Sequence, residues 1–477
     1  MTAGFWAAAW RMTLRALTIV RTVILARILV PEDFGLMAIA TMAILLLERL
    51  TQSGFEAALV QQSDDIEPYL NTAWTVQIVR ALSMAALLAV TAPWIAQFFG
   101  APEATEIIRA LSVAVAVNGF TNIAVVAFVK ELRFDKHFVL QMGSRGTDVL
   151  VSIIAAIMLR NVWALVLGVL SGSIGRVVVS YVISEYRPRF RWVAGQARHL
   201  FDFGKWILAS QLLNYMAENL DDILVGRLLG IQSLGWYRMA YNFSQAVATE
   251  VESVASLVAF PTYAKLQGEA ARLRTAYLGS VHLVAFLGFP IAVGTVLVAP
   301  DLVFGVLGDK WAPIVRPMQL LSIAGLFRGV SATASPLFRS QGRPNIPPRF
   351  SLTNVAMMAV MLYPAIQVFG IEGAAGVVLV AGAVTSVFAL WLAFSTVGAQ
   401  GRDSLQVLAF PALNSGVMAV GVMALRQVFF DDPSFPSFAV LSASGVLLYV
   451  GSVLVSSHGL GYVAPTDLLR RIREASA

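Results

Sequence analysis

The sequence predicts an all-α integral membrane protein with about 14 transmembrane helices, and three observations predict this fold class. The 477 residues are 58% hydrophobic and 13% charged, with a mean hydropathy of +0.74. A soluble domain carries about 25% charged residues, so a chain this apolar needs lipid around it. Segments such as AIATMAILLL (38–47) show no alternation of polar and apolar residues, which argues against a membrane β-barrel.

Segment length gives the number of predicted spans. A helix needs about 20 apolar residues to cross about 30 Å of hydrocarbon. Fourteen segments meet this requirement: 4–28, 34–60, 72–99, 106–129, 138–159, 162–184, 204–229, 234–260, 276–299, 314–338, 349–369, 373–397, 405–429 and 437–457.

The basic residues predict the orientation of these spans. Lysines and arginines concentrate in one set of alternating loops, most densely in 187–205. The opposite set of loops holds few of them: Arg160, Arg238, Lys310, Arg316 and Arg426. By the positive-inside rule, both termini are cytoplasmic.

A repeat indicates two lobes with the same direction in the membrane. LARILVPEDFG (25–35) is echoed by VGRLLGIQSLG (225–235), and TAPWIAQFFG (91–100) by VAPDLVFGVLG (298–308). Six helices separate the copies, so the sequence predicts two parallel six-helix lobes about a pseudo-two-fold axis along the membrane normal. The alternative, a common helix ending, requires two echoes at similar offsets to coincide. The predicted divisions are an N-terminal lobe (1–185), a cytoplasmic connector (186–203), a C-terminal lobe (204–397) and two further helices with a cytoplasmic tail (398–477).

Arginines inside predicted spans are the first candidate binding residues. The first helix carries Arg11, Arg15, Arg21 and Arg27 and no acid, and the second carries Arg49. A charge at a helix centre costs about 2.5–3.5 kcal/mol on insertion scales, so such residues face the bundle interior or a wet cavity. Guanidinium groups donate in a planar fork that matches phosphate oxygens, which favours a phosphate or pyrophosphate headgroup as ligand.

The seventh predicted helix carries the complementary charge. Asn214, Glu218, Asp221 and Asp222 share one face, and the repeat offset sets Asp221 at the depth of Arg21. These acids either neutralise the arginines when the cavity is empty or bind a coupling cation, H⁺ or Na⁺. By contrast, Arg145 and Asp148, three residues apart on one helix, are expected to form a packing salt bridge.

Several function classes are excluded or disfavoured by the sequence. The chain has no cysteine, so a thiolate nucleophile or a Cys-based zinc site is impossible. It has no Walker motif, its four histidines show no metal-ligand spacing, and no outer loop is long enough for a catalytic domain. We therefore predict no catalytic residues, no bound metal or cofactor, and no enzyme. The net charge of +6 is assigned to cytoplasmic loops and not to nucleic-acid binding.

The chain resembles a known transporter family through three stretches. These are ILARILVPEDFG (24–35), SGFEAALVQQ (53–62) and NLDDILVGRLLGIQSLGWYRMAYN (219–242). They are similar to the polysaccharide transport branch, the Wzx-type flippases, of the multidrug/oligosaccharidyl-lipid/polysaccharide exporter superfamily. The resemblance implies two six-helix lobes around a central cavity, with two extra C-terminal helices.

The resemblance also implies a function. Such proteins move undecaprenyl-pyrophosphate-linked oligosaccharide repeat units from the inner to the outer leaflet of the bacterial cytoplasmic membrane, for exopolysaccharide, O-antigen or capsule synthesis. The expected partners are this lipid-linked substrate, membrane lipid, and a polysaccharide polymerase with its export machinery. The rival functions are a cation-coupled multidrug exporter of the same superfamily and, in another class, a membrane-bound polymerase or ligase.

Residue roles follow from the same resemblance. The related lipid II flippases carry cavity arginines on their first two helices, which implies pyrophosphate binding by Arg15, Arg21 and Arg49, with Arg11 added from the residue pattern. Glu48 departs from that basic pattern. Four residues are predicted to break the backbone at the outer ends of the helices and allow the lobes to rock: Pro31, Gly35, Gly230 and Gly235.

Overall fold

The computed structural model describes residues 2–51, 67–130, 133–191, 194–245, 262–399 and 401–460. Every long regular element in these ranges is helical. In chain order the helices are α1 (Thr2–Ile28), α2 (Pro31–Thr51), α3 (Glu67–Phe99), α4 (Ala104–Gly119), α5 (Val125–Lys130), α6 (Phe134–Leu159), α7 (Trp163–Ile183), α8 (Ala194–Gln245), α9 (Ala270–Asp301), α10 (Val315–Ser331), α11 (Ala334–Ser340), α12 (Ile346–Thr396), α13 (Gly401–Phe429) and α14 (Phe435–Leu460). A π-helical turn (Leu302–Leu307) and a 3₁₀ turn (Asp309–Ile314) follow α9.

The helices are those of a multi-pass membrane protein. Within the described ranges, nine helical stretches are long and apolar enough to cross a membrane. Large apolar side chains project from them into the surroundings: Met158 is 77% exposed and Val182 is 76% exposed. Lipid is the medium that covers such surfaces.

Two long helices contain an internal break at glycine. Gly230 in α8 has φ 85° and ψ 179°, and Gly370 in α12 has φ 59° and ψ −136°. Both conformations are readily adopted only by glycine. Each break lies between two predicted spans, and α12, with 51 residues, is long enough for two crossings of about 20 residues. The fourteen-span layout itself remains a prediction.

The chain divides into two compact units, and α8 contributes to both. The first unit contains residues 1–219 and 229–235, and the second contains 220–228 and 236–477. In the first unit, α6 packs most extensively on α7, and α3 packs on α4. Glycines on α7 allow the α6 contact: a Cβ atom on Gly168 or Gly172 would press against Asp148. Small residues at such contacts are typical of helix packing in membranes.

A close crossing within the first unit involves the repeated motif. A Cβ atom on Gly35 would overlap the carbonyl oxygen of Ile231, and one on Gly235 would overlap the carbonyl oxygen of Pro31. The two contacts are therefore related by the 200-residue offset of the repeat. A hydrogen bond from Gln232 to Glu32, also at that offset, lies alongside them.

This crossing corrects the predicted roles of two glycines. Gly35 and Gly235 do not break the backbone, because both lie inside helices and serve as contact points where backbones meet. The helical breaks fall instead at residues 29–30, directly before Pro31, and at Gly230. Pro31 is the first residue of α2, a position where its missing N–H costs no helical hydrogen bond.

The second unit is built on α9, which packs against α10, α13 and α14. Buried Asp301 at its end accepts a 2.6 Å hydrogen bond from Ser437, and Arg426 lies 3.7 Å away. Arg274 pairs with Asp403 at the other end of α9. These polar links fix α13 and α14 to the rest of the second unit.

Candidate functional site

The candidate site in the first unit is centred on Arg49, near the C-terminal end of α2. Its guanidinium donates to the Gln211 side-chain oxygen at 3.2 Å and lies 3.2 Å from the Glu218 carboxylate. The Arg49 side chain is 34% exposed and that of Glu218 is 52% exposed. An ion pair this accessible is weakly held, so another anion is able to compete for the arginine.

One face of α8 presents this site to α2. Gln211, Tyr215 and Glu218 follow one another at i, i+4 and i+7, the spacing of a single helix face. Tyr215 is buried, and its hydroxyl donates to the Met42 carbonyl at 2.9 Å. This buried bond fixes the register of the two helices, so the half-exposed polar groups on either side of it have a defined geometry.

Arg15 on α1 is a second candidate arginine, because one of its N–H donors is unused within the ranges that the structure describes. Its Nε atom is buried and has no hydrogen-bond partner among the residues that the structure describes. An unsatisfied buried donor of this kind costs about 1–3 kcal/mol, and an anionic ligand would relieve that cost. Arg11 also belongs to α1, but its side chain is outside the described part of the structure.

Arg21 differs from Arg15 because it has an acid beside it. Its guanidinium lies 2.9 Å from the Asp148 carboxylate on α6, and its Nε donates to Ser152 at 3.0 Å. The Arg21 and Asp148 side chains are 16% and 8% exposed. The first helix supplies no acid of its own, and the acid beside Arg21 comes from α6, 127 residues further along the chain.

Asp148 also changes its expected partner. The predicted packing salt bridge with Arg145 on the same helix is not the one that forms in the described residues, since the Asp148 ion pair is with Arg21. The exposed side chain of Arg145 remains within electrostatic range of Asp148. The ion pair between Arg21 on α1 and Asp148 on α6 thus takes the place of the predicted pair within α6.

The predicted acidic face on α8 divides into two environments. Glu218 is exposed beside Arg49, whereas Asp221 and Asp222 are buried in the second unit. Asp221 accepts a 2.6 Å hydrogen bond from the Tyr237 hydroxyl, and Asp222 lies 2.6 Å from Arg238. The partner of Asp221 is thus the buried Tyr237. Arg21, which was predicted at the depth of Asp221, pairs with Asp148 instead.

Arg238, which the sequence analysis counted with the outer loops, is a residue of helix α8. It lies 2.6 Å from Asp222, and its side chain is 21% exposed. It also lies over the Tyr241 ring at 5.9 Å. The hydroxyl of Tyr241 accepts from Arg328, which in turn donates to Gln245. These contacts connect the buried aspartates to α10 through a chain of polar side chains.

Within the described part of the chain, Asp221 and Asp222 each keep one carboxylate oxygen that is not used in a hydrogen bond. One oxygen of Asp221 and one of Asp222 are buried without a hydrogen-bond partner in the described residues. The described residues hold no group of three acidic or histidine side chains arranged for a metal ion. Each of these two oxygens therefore retains the capacity to accept a hydrogen bond.

The sequence analysis missed Gln211 and Tyr215. Both are uncharged, so neither was selected by a search for charges inside predicted spans. Their spacing with Glu218 on one helix face was the signal that could have found them.

Comparison with known proteins gives the family. The model of the polysaccharide biosynthesis protein family matches residues 24–316. The succinoglycan biosynthesis transport protein ExoT of Rhizobium meliloti is 26% identical over 441 residues, which cover 92% of this chain and 89% of ExoT.

Two solved structures show the fold. The lipid II flippase MurJ in an inward closed conformation matches with a TM-score of 0.77 and 14% identity, over 95% of this chain and 99% of MurJ. An inward-facing multidrug resistance MATE transporter matches with a TM-score of 0.64 and 13% identity, over 81% of this chain and 94% of the transporter. The helices therefore adopt a membrane transporter fold, and the chain belongs to the polysaccharide biosynthesis protein family.

Proposed function

We propose that this protein is a flippase that moves undecaprenyl-pyrophosphate-linked oligosaccharide repeat units from the inner to the outer leaflet of the bacterial cytoplasmic membrane. The observation that carries the proposal is the half-exposed Arg49, shared between Gln211 and Glu218 in a membrane protein of this family. The named transport role of ExoT supports it.

The pyrophosphate of the substrate would compete with Glu218 for Arg49. Guanidinium–phosphate contacts are charge-assisted and often bidentate, so they are stronger than the single 3.2 Å contact to Glu218. Arg15, with its unsatisfied Nε, adds a second donor. Arg21 was predicted to bind the pyrophosphate directly. Because it is paired with Asp148, its proposed role here is to contribute charge near the headgroup. The polyprenyl tail stays in lipid while the polar head crosses.

The finer architecture is part of the same proposal. We propose fourteen spans in two parallel six-helix lobes with two C-terminal helices, both termini in the cytoplasm, and transport by alternating access. The helix breaks at residues 29–30 and at Gly230 provide joints for such a motion. Asp221 and Asp222 are the groups that would bind a coupling ion, H⁺ or Na⁺. A polysaccharide polymerase is the expected partner downstream.

The rival function on this fold is cation-coupled multidrug export. The match to a MATE transporter supports the fold alone. A pump for cationic drugs requires an acid where the cation binds, but α1 contains four arginines and no acid. The charge of this helix favours an anionic substrate.

The test is deletion of the gene in the native bacterium, followed by measurement of extracellular polysaccharide and of the sidedness of lipid-linked oligosaccharide. We expect the polymer to disappear and the intermediate to accumulate facing the cytoplasm. Complementation with Arg15→Ala or Arg49→Ala is expected to leave export at least tenfold below wild type, at equal protein levels, because one lost charged hydrogen bond is worth about 1.5–3 kcal/mol.

Arg109→Ala is the matched control, because Arg109 is exposed on α4 and pairs with its neighbour Glu106. Its export is expected to equal wild type. Normal polymer together with altered drug tolerance in the deletion strain would contradict the flippase and favour the multidrug exporter.

A further inference from the structure

A polar cavity lies inside the first unit. It has a volume of about 220 Å³ and is lined by α2, α3, α4, α7, the start of α5 and the turn that precedes it. Its polar lining residues are Glu48, Gln77, Arg80, Asn118, Thr121, Asn122 and Arg176. One water molecule needs roughly 10–15 Å³ of such a cavity, so the space accommodates much more than a single small ion.

The charges that line this cavity are unbalanced. Arg80 and Arg176 contribute two positive charges, and Glu48, in electrostatic range of both, contributes one negative charge. Among the described residues, neither arginine forms an ion pair, and the printed contact of Arg80 is a 3.4 Å hydrogen bond to the Thr51 carbonyl. Charged residues within membrane helices typically face a wet cavity and mark a substrate pathway, and the net positive charge of this lining is complementary to an anionic group.

The walls of the cavity are held by the protein itself. Gln77 donates to the carbonyls of Gly119 and Thr121 at 2.9 and 3.0 Å. Asn122 donates from its side chain to the Tyr186 carbonyl at 2.8 Å, and from its backbone to Ser180 at 3.0 Å. These amides are therefore structural, and the arginine donors and the Glu48 acceptor remain for a ligand. A rigid wall reduces the entropy lost on binding.

The rest of the lining is aliphatic. Ala81, Met84, Val115 and Val126 form an apolar surface beside the charged groups. A sugar ring has the matching character, since its C–H face is apolar and its rim carries hydroxyl groups. A carboxylate that accepts from hydroxyl donors, such as Glu48, is useful for a sugar and repulsive for a bare anion.

We propose that this cavity binds an acidic sugar of the transported headgroup, with a uronate carboxylate on Arg80 and Arg176 and ring hydroxyls on Glu48. The inference rests on the proposed function and specifies its substrate class: repeat units that contain a uronic acid. The aliphatic side chains contact the ring face, and the arginines select the charged sugar over its neutral analogue.

The experiment is saturation-transfer NMR on the purified full-length protein in lipid nanodiscs, with D-glucuronate, D-glucose and inorganic phosphate as probes. Glucuronate is expected to bind saturably, and glucose and phosphate at least tenfold more weakly. Arg80→Gln and Arg176→Gln are each expected to weaken glucuronate binding about tenfold or more, which is one charged hydrogen bond. Arg109 is exposed and is not one of the residues that line the cavity, so Arg109→Gln is expected to bind glucuronate as wild type does.

Three results would overturn the inference: glucose binding as tight as glucuronate, phosphate binding as tight as glucuronate, or unchanged binding in both arginine variants. Equal phosphate binding would indicate an oxyanion site without sugar recognition. Two separate arginine variants protect the test against misfolding of either one. Because the binding assay does not depend on export, absence of glucuronate binding would contradict this inference and leave the flippase proposal standing. Normal export in the deletion strain would contradict the flippase without changing the measured affinity for glucuronate.

Discussion

Two acids one turn apart on α8 have opposite environments. Glu218 is 52% exposed and shares Arg49 with Gln211, whereas Asp222 is 1% exposed and is held by Arg238. Their sequence context is the same acidic face, and each has an arginine partner. The difference is the access of water and ligands, which decides whether an ion pair is exchangeable or structural.

The exposure of an ion pair distinguishes pairs that an anionic ligand can open from pairs that stabilise the fold. Exposed pairs are typically worth about 0–1 kcal/mol, so the Arg49–Glu218 pair is easily opened by a stronger anion. A buried pair loses about 3–5 kcal/mol when one partner is removed, because the other charge is left uncompensated. Asp222–Arg238 belongs to the second class, and Arg21–Asp148 lies between the two.

The largest expected effect is on the buried pair. Arg238→Ala should lower the free energy of unfolding by about 3–5 kcal/mol, because the fully buried Asp222 is left without its counter-charge. Thermal unfolding of the purified protein in detergent is the measurement. The control is Asp222→Leu combined with Arg238→Met, which removes both charges and is expected to recover most of the stability. A single variant as stable as wild type would show that this pair is not structural.

An intermediate effect is expected at Arg21 and Asp148. Arg21→Gln and Asp148→Asn should each lower the unfolding free energy by about 1.5–3 kcal/mol, because each leaves a charged hydrogen-bonding partner unsatisfied. The double variant should be more stable than the sum of the two effects predicts, as measured by a double-mutant cycle in thermal unfolding. If the two changes in unfolding free energy add strictly, the 2.9 Å contact contributes no coupling energy. Arg21 would then be available, like Arg15, to donate to a ligand.

The smallest stability effect is expected at the exposed pair. Glu218→Gln should change the unfolding free energy by less than about 1 kcal/mol, since the side chains of the pair are 34% and 52% exposed. Removal of the competing carboxylate should also tighten the binding of inorganic pyrophosphate, measured by calorimetry on the purified protein. Glu106→Gln, which breaks the exposed pair with Arg109, is the control and should leave pyrophosphate binding unchanged. Weaker pyrophosphate binding in Glu218→Gln would contradict competition at Arg49.

Some site residues were predictable because they are charges inside apolar segments. Arg15, Arg49 and Glu218 are visible in the sequence in this way, and the structure places Arg49 and Glu218 in contact. Gln211 and Tyr215 were not visible, because neutral polar residues at a helix interface resemble ordinary packing residues. The breaks predicted at Gly35 and Gly235 were wrong because glycine serves close backbone contact as readily as chain bending.

The sequence by itself determined that this protein is a helical, multi-pass membrane protein with repeated motifs, because apolar length and composition leave the chain no other stable environment. Only the tertiary structure decided which charges are paired. Glu218, the partner of Arg49, lies 169 residues away along the chain, and Asp148, the partner of Arg21, lies 127 residues away. Helix periodicity predicts contacts only between neighbours on one helix. Packing between helices brings such residues together and sets their exposure, and exposure decides whether a charge stabilises the fold or remains available to a ligand.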